Sequence, residues 1–181
     1  ESKRTGVSCA HGGKDQLKEL IETMGNDKYS RRMLINLWNP LEAEHGVLTP
    51  CWFASQWIVL PDKDGVDTLH CKMFNRSNDS IFGGTFAYQQ YNLLKIFLSN
   101  MFDFREGLVD ASISHAHIYH NQLEYANELI DRELGVQGKV SLKKKLNSLD
   151  DLLSLEWDDI VVTGLEVNKK PFKAVKPPMA V

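Results

Sequence analysis

The sequence predicts an α+β domain, and three features carry that prediction. Short strand patterns alternate with helical stripes, the turn Asp62-Lys63-Asp64-Gly65 joins two strands in antiparallel fashion, and no segment repeats. The 181 residues suffice for one domain with a sizeable core. Residues 1–181 are therefore expected to form a single domain, with an irregular arm at 1–14 and an extended tail at 171–181. Apolar content of 43% and charged content of 25% are those of a globular protein. A net charge of −3 argues against a surface that coats nucleic acid, so no DNA partner is expected, although a local cationic pocket stays open. No apolar run approaches the length of a bilayer span, and no signal peptide is visible. Cys9, Cys51 and Cys71 are odd in number and widely spaced, without a CxxC pair. That suits a reducing compartment, and a cytoplasmic location is expected.

Taken in order, Glu1 to Gly13 shows no periodicity, and Cys9 with His11 lacks the second pair a metal site needs. Leu17, Leu20, Ile21 and Met24 predict a short amphipathic helix stopping at Gly25. Ser30-Arg31-Arg32 leads into Met33 to Trp38, which reads as a largely buried strand. Two adjacent arginines entering a strand need anions: ion pairs with Asp27 or Glu22, or a phosphate or carboxylate ligand. The residues alone favour the ion pairs. Asn39-Pro40 and Gly46 mark a loop, and Leu48-Thr49-Pro50-Cys51 enters a strand over Trp52 to Leu60. Most cysteines at such junctions pack as small hydrophobes. A nucleophile would need the thiolate, which nearby arginines favour.

Leu69, Cys71 and Met73 alternate with His70, Lys72 and Phe74, a strand that runs into the polar stretch Arg76-Ser77-Asn78-Asp79-Ser80. A glycine pair follows, then a helical stripe at Phe86, Leu93, Leu94, Phe97, Leu98 and Met101. A strand that ends in a polar loop feeding a buried helix is a common place for a ligand. Leu108 to Ser114 predicts a strand leading to His115-Ala116-His117-Ile118-Tyr119-His120. Alternating histidines invite a metal, but no carboxylate is close in sequence, and His with Tyr equally bonds sugar hydroxyls; no metal is predicted. Asn121 to Leu134 reads as a helix ending at Gly135, and Lys143-Lys144-Lys145 as a solvated face. Ser148 caps a short acidic helix, Ile160 to Val162 is a late strand, and Pro171, Pro177 and Pro178 extend the tail.

Seven strings occur in order: Ser30-Arg31-Arg32 with Leu37-Trp38-Asn39-Pro40; Leu48-Thr49-Pro50-Cys51; Gln56-Trp57; Arg76-Ser77-Asn78-Asp79; Phe86 to Tyr91; His117-Ile118-Tyr119; and Met179-Ala180-Val181. Together they resemble the thymidylate synthase family, including its pyrimidine hydroxymethylases, from about Asp15 to Val181. The resemblance implies a mixed sheet packed with helices and a sheet-to-sheet homodimer. It implies that Cys51 is the nucleophile adding to C6 of a pyrimidine nucleoside monophosphate, whose C5 then takes a one-carbon unit from 5,10-methylenetetrahydrofolate. Arg76 and Ser77 look like ligands of the 5′-phosphate, with Arg31 and Arg32 reaching it from the partner subunit. His117 and Tyr119 are similar to the residues that bond the 3′-hydroxyl. Asp79 resembles the carboxylate facing the pterin, and Gln56 a supporting amide. The tail, Ala180 included, resembles a segment that closes over both ligands.

The chain also departs from the family pattern. The synthases carry an asparagine after the Phe86 position to read the pyrimidine's carbonyl and ring NH; here Ala87 can do neither. The Gly-Asp before the His-x-Tyr motif is replaced around Ser114 and His115. The family's N-terminal third, with an arginine loop and a catalytic glutamate, has no counterpart in Glu1 to Lys14. The expected reaction is methylation of dUMP to dTMP. Ala87 and His115 favour the alternative, hydroxymethylation of dCMP, CMP or dUMP with water ending the reaction. A non-catalytic nucleotide- or RNA-binding relative or fragment is the reading of a different class.

Overall fold

The computed structural model describes residues 14–40 and 48–173. The expectations for Cys9, His11 and the closing segment with Ala180 lie outside those residues. The framework is a four-stranded mixed sheet in the order β1-β2-β3-β5. It uses β1 (Leu34–Asn36), β2 (Trp52–Pro61), β3 (Asp67–Asn75) and β5 (Arg105–Ile113). β2 pairs antiparallel with both β1 and β3, while β3 and β5 run parallel. The β2–β3 turn is the one read from Asp62 to Gly65: Asp62 N–H donates to the Val66 carbonyl, and Gly65 takes φ 76°.

Two helices cover one face of the sheet, α1 (Gln16–Asn26) and α2 (Gly83–Phe102). Their contact with it follows the strand period: Ser55, Trp57 and Val59 of β2 and Leu69, Cys71 and Met73 of β3 are buried against Leu20 and Met24 of α1 and Ala87 and Leu98 of α2. Trp57, with no exposed surface and its ring 6.5 Å from that of Tyr91, anchors this core. Asp15 caps α1 by accepting from Lys18 N–H, as a carboxylate at a helix start should. The opposite face, on the alternate positions, carries the exposed Leu34 and Leu60, with Leu108 exposed at the bulge in β5.

Three expectations are corrected. The strand from Met33 to Trp38 shrinks to Leu34–Asn36, and Leu34 is 48% exposed because this is an edge strand with only one covered face. Its free backbone is taken by the Gln16 carboxamide, which accepts from Asn36 N–H at 2.7 Å and donates to the Asn36 carbonyl at 2.8 Å. Phe86 does not belong to the buried stripe of α2. It is 67% exposed, and the buried face instead runs through Gly84, Ala87 and Leu98. The helix expected over Asn121 to Leu134 is a 3-10 turn (His120–Gln122) followed by α3 (Leu123–Ile130). Gly135 is not its cap. A Cβ there would lie 2.0 Å from the Glu166 carbonyl oxygen, so this glycine lets residue 136 bridge to Glu166.

Two short pairs complete the fold. β4 (Asn78–Asp79) lies parallel to β6 (Ala116–His117), and β7 (Lys139–Leu142) forms a hairpin with β8 (Ile160–Thr163). β7 has no counterpart in the sequence reading, because its neighbour Lys143-Lys144-Lys145 reads as solvated. Ser148 caps α4 (Leu149–Leu153) as expected, accepting from Asp151 N–H.

Candidate functional site

Strand direction assembles the site. β3 and β5 run parallel and end level, with Asn75 opposite Ile113, so the segments that follow them travel side by side. Ser114 N–H donates to the Asn75 carbonyl, Asn78 N–H to the His115 carbonyl and Ser80 N–H to the His117 carbonyl. The antiparallel β2 begins where β3 ends, and Arg76 N–H donates to the Cys51 carbonyl at 3.0 Å. One end of the sheet therefore gathers Cys51, Arg76, Ser77, Asp79, His117 and Tyr119, which span almost 70 positions of chain.

Arg76 grips the loop that carries Cys51. Its Nη2 donates to the Thr49 carbonyl at 2.8 Å and the Thr49 hydroxyl at 2.7 Å, and its Nε donates to the Pro50 carbonyl at 3.1 Å. The same Nη2 lies 3.8 Å from Cys51 Sγ. Every one of these partners is uncharged, so the guanidinium keeps its full charge beside the sulfur. Among the described residues no ion pair involves Arg76, Arg31 or Arg32. The ion pairs expected for Arg31 and Arg32 with Asp27 or Glu22 are thus not formed. Glu22 lies 3.9 Å from Lys18, and Asp27 accepts from Tyr29 N–H.

Cys51 is half-buried and free, whereas Cys71 is buried in the core. Burial pushes the Cys71 thiol up to about 12, which makes it inert at neutral pH. Iodoacetamide applied to the native protein should label Cys51 and spare Cys71. Peptide mass mapping checks this, and equal labelling of the two would contradict the packing described here.

Asp79 is fixed from both sides. Its Oδ1 accepts from Ile81 N–H at 3.1 Å and Phe82 N–H at 3.4 Å, just before α2, and its Oδ2 accepts from Gln122 Nε2 at 3.2 Å. Gln122 has no exposed surface and also accepts from Tyr119 N–H. It ties the carboxylate to the His-x-Tyr segment, and the sequence reading passed over it; its place three residues after Tyr119 was the only available signal. Gln122→Leu should lower the stability by about 1–3 kcal/mol, because the buried carboxamide's two part-buried bonds, to Asp79 and to Tyr119 N–H, are lost together. Urea unfolding measures it, and a loss below about 0.5 kcal/mol would refute the role.

Ser77 is held by Asn75, whose Oδ1 accepts its N–H at 2.6 Å. The Asn75 Nδ2 and the Asn78 Oδ1 are buried without hydrogen-bond partners among the described residues, and these two polar atoms flank the Arg76-Ser77 pair. A Cβ on Gly84 would lie 2.5 Å from the Asn78 Oδ1, so glycine there lets β4 approach α2. The rings of His117 and Tyr119 meet edge to face, 4.9 Å apart.

Four expected residues lie elsewhere. Arg31 and Arg32 are exposed and line a cavity of about 390 Å³ with Asp27, Tyr29 and Ser30, not with Cys51. Gln56 sits well inside β2 and donates to the Arg31 carbonyl at 3.3 Å. Ala87 is buried in the core at 7% exposure. Among the described residues no three of His, Cys, Asp and Glu are grouped to hold a metal ion, and no helix is long and apolar enough to cross a membrane.

The site thus sets a free thiol under an arginine at one end of a mixed sheet with helices on one face. Residues 2–181 match the thymidylate synthase family model, and the chain belongs to that family. It is 30% identical to the thymidylate synthase of Herpesvirus ateles over 178 residues, covering 97% of this chain and 57% of that protein. With the thymidylate synthase of Mesoplasma florum it shares 32% identity over 159 residues, 88% and 52% of the two chains. The corresponding figures for that of Ascaris suum are 29% over 169 residues, 93% and 53%. The chain spans about half the length of the curated relatives it matches.

Proposed function

We propose that this chain, as a cytoplasmic homodimer, transfers a one-carbon unit to C5 of a pyrimidine nucleoside 5′-monophosphate, converting dUMP to dTMP. One observation carries the reading: the Arg76 guanidinium, which makes no ion pair among the described residues, stands 3.8 Å from the half-buried Cys51 sulfur. A free, partly exposed thiol beside a cation has the surroundings that nucleophilic catalysis uses. The Cys51 sulfur bonds to C6, and the C5–C6 π pair shifts to C5 as an enolate. C5 would bond to the one-carbon unit and give up its proton to solvent as that unit's bond to the folate nitrogen breaks, and the S–C6 bond would then break to return Cys51. Bound methylenetetrahydrofolate supplies that carbon and, in the methylating reaction, the hydride that completes the methyl group.

In this reading Arg76 and Ser77 hold the 5′-phosphate, and His117 and Tyr119 hold the sugar hydroxyl. Asp79 fits a pterin edge, since an anchored carboxylate accepts from the NH donors found there. Arg31 and Arg32 act across the interface on the partner's phosphate. In favour of this, they line a cavity apart from Cys51 and lack ion-pair partners among the described residues, and the uncovered face of the sheet exposes Leu34, Leu60 and Leu108. Gln56, bonded to the Arg31 carbonyl, would set the position of the arginine pair. Ala180 would join the segment that closes over the folate.

Ala87 supports a second reading, hydroxymethylation of a cytosine nucleotide. In its favour, Ala87 is buried and its methyl offers no hydrogen bond to a uracil edge. The deciding experiment is product mass after incubation with methylenetetrahydrofolate and, separately, dUMP, dCMP and CMP. A methyl gained on dUMP with release of dihydrofolate supports the synthase. A hydroxymethyl gained on a cytosine nucleotide selects the second reading. No product from any of the three, with nucleotide still bound, would leave a nucleotide-binding relative and end both.

A further inference from the structure

Two imidazoles face one another beside the site. The Nδ1 atoms of His115 and His117 lie 3.3 Å apart, with ring centroids separated by 5.3 Å. Two imidazole nitrogens at this distance attract only when one carries a proton and the other a lone pair; two lone pairs or two protons repel. The backbone fixes the points from which both side chains project. The His115 carbonyl accepts from Asn78 N–H at 2.8 Å, the His117 carbonyl accepts from Ser80 N–H at 3.0 Å, and β6 is paired in register with β4. Tyr119 packs edge-on against the His117 ring, limiting its rotation.

The contact has a chemical consequence at the far side of the ring. In a neutral imidazole the two nitrogens have opposite roles, so a hydrogen bond that decides whether Nδ1 donates or accepts also decides what Nε2 offers. We infer that His115 is a positioning residue: through one shared proton between the two Nδ1 atoms it fixes the tautomer in which His117 Nε2 meets the nucleotide's sugar hydroxyl. The sugar contact rests on the proposed nucleotide reading; the histidine pair does not. His115 itself touches no ligand in this account.

The test compares affinities for dUMP and 2′,3′-dideoxy-UMP in the full chain, so that their ratio isolates the 3′-hydroxyl contact and cancels the phosphate. The wild type should prefer dUMP about tenfold, the size of one neutral hydrogen bond. His115→Ala should bring the ratio close to one, and His115→Asn, whose carboxamide can donate or accept, should restore it. An unchanged ratio in His115→Ala, or a ratio of one in the wild type, overturns the inference. The ring nitrogens are read independently by ¹⁵N NMR without nucleotide. His117 should show one well-resolved protonated and one unprotonated nitrogen, and an averaged pattern in His115→Ala. If neither nucleotide binds, the proposed function fails, and the spectra alone decide the pair: identical His117 patterns in the two proteins would overturn it.

Discussion

Cys51→Ala is expected to abolish covalent capture of a 5-fluoropyrimidine nucleoside monophosphate in the presence of methylenetetrahydrofolate, an adduct the wild type should form and hold through denaturation. Turnover should fall by at least about 10³-fold, since no other described group stands in for the nucleophile. The thiol is half-buried and its hydrogen-bond partner is Arg76, so the fold should survive the change. Nucleotide affinity should stay within a few-fold, because the phosphate and sugar contacts are assigned to other residues. The readout is intact mass after denaturation. An adduct that persists in Cys51→Ala would transfer the nucleophile's role to another residue, and absence of an adduct in both proteins would remove the covalent mechanism.

Arg76→Ala is expected to have the larger effect on binding. The guanidinium is assigned to the phosphate and also fastens Thr49, Pro50 and Cys51, so its loss removes a charge-assisted bond and loosens the nucleophile's loop together. Nucleotide affinity should drop by about 2–5 kcal/mol, the cost of truncating one partner of a desolvated charged pair. Arg76→Lys should recover only part of it. A lysine keeps the charge but cannot donate to Pro50 through one nitrogen and to Thr49 through another with the fixed geometry of the fork. Titration calorimetry with the nucleotide alone separates these cases. Unchanged affinity in Arg76→Ala would move the phosphate site elsewhere, and full recovery by lysine would reduce the residue to a point charge.

Much of the site could be read from residue strings because its members lie in short runs, each delivered by one element. Arg76, Ser77 and Asp79 follow one strand, and His115, His117 and Tyr119 follow another. The grip of Arg76 on Thr49 was not legible, since a run of residues gives no sign of which carbonyl a guanidinium will reach across 27 positions. Gln122 was missed for the same reason: its value comes from touching Asp79, 43 residues earlier. The helical stripe on α2 was placed one residue out at its start. The pattern of large apolar residues picks out Phe86, whereas the surface that enters the core is made by Gly84 and Ala87, too small to register as hydrophobic signal. The ion pairs that the sequence favours for Arg31 and Arg32 are not formed because Glu22 faces Lys18 along α1 and the Asp27 carboxylate accepts from Tyr29 N–H.

Period and punctuation determined the elements: the alternation in β3, the Asp62 to Gly65 turn, and the cap at Ser148 follow from side chains acting within a few residues of themselves. Strand direction was left to the tertiary structure. Residues 69–74 and 108–114 each read as a strand, but only the packed sheet shows them parallel and level at Asn75 and Ile113. That parallel register brings residues 76–79 beside residues 115–119. It depends on hydrogen bonds between segments almost 40 residues apart and on a core shared by α1, α2 and all four strands of the sheet, which local preference cannot encode.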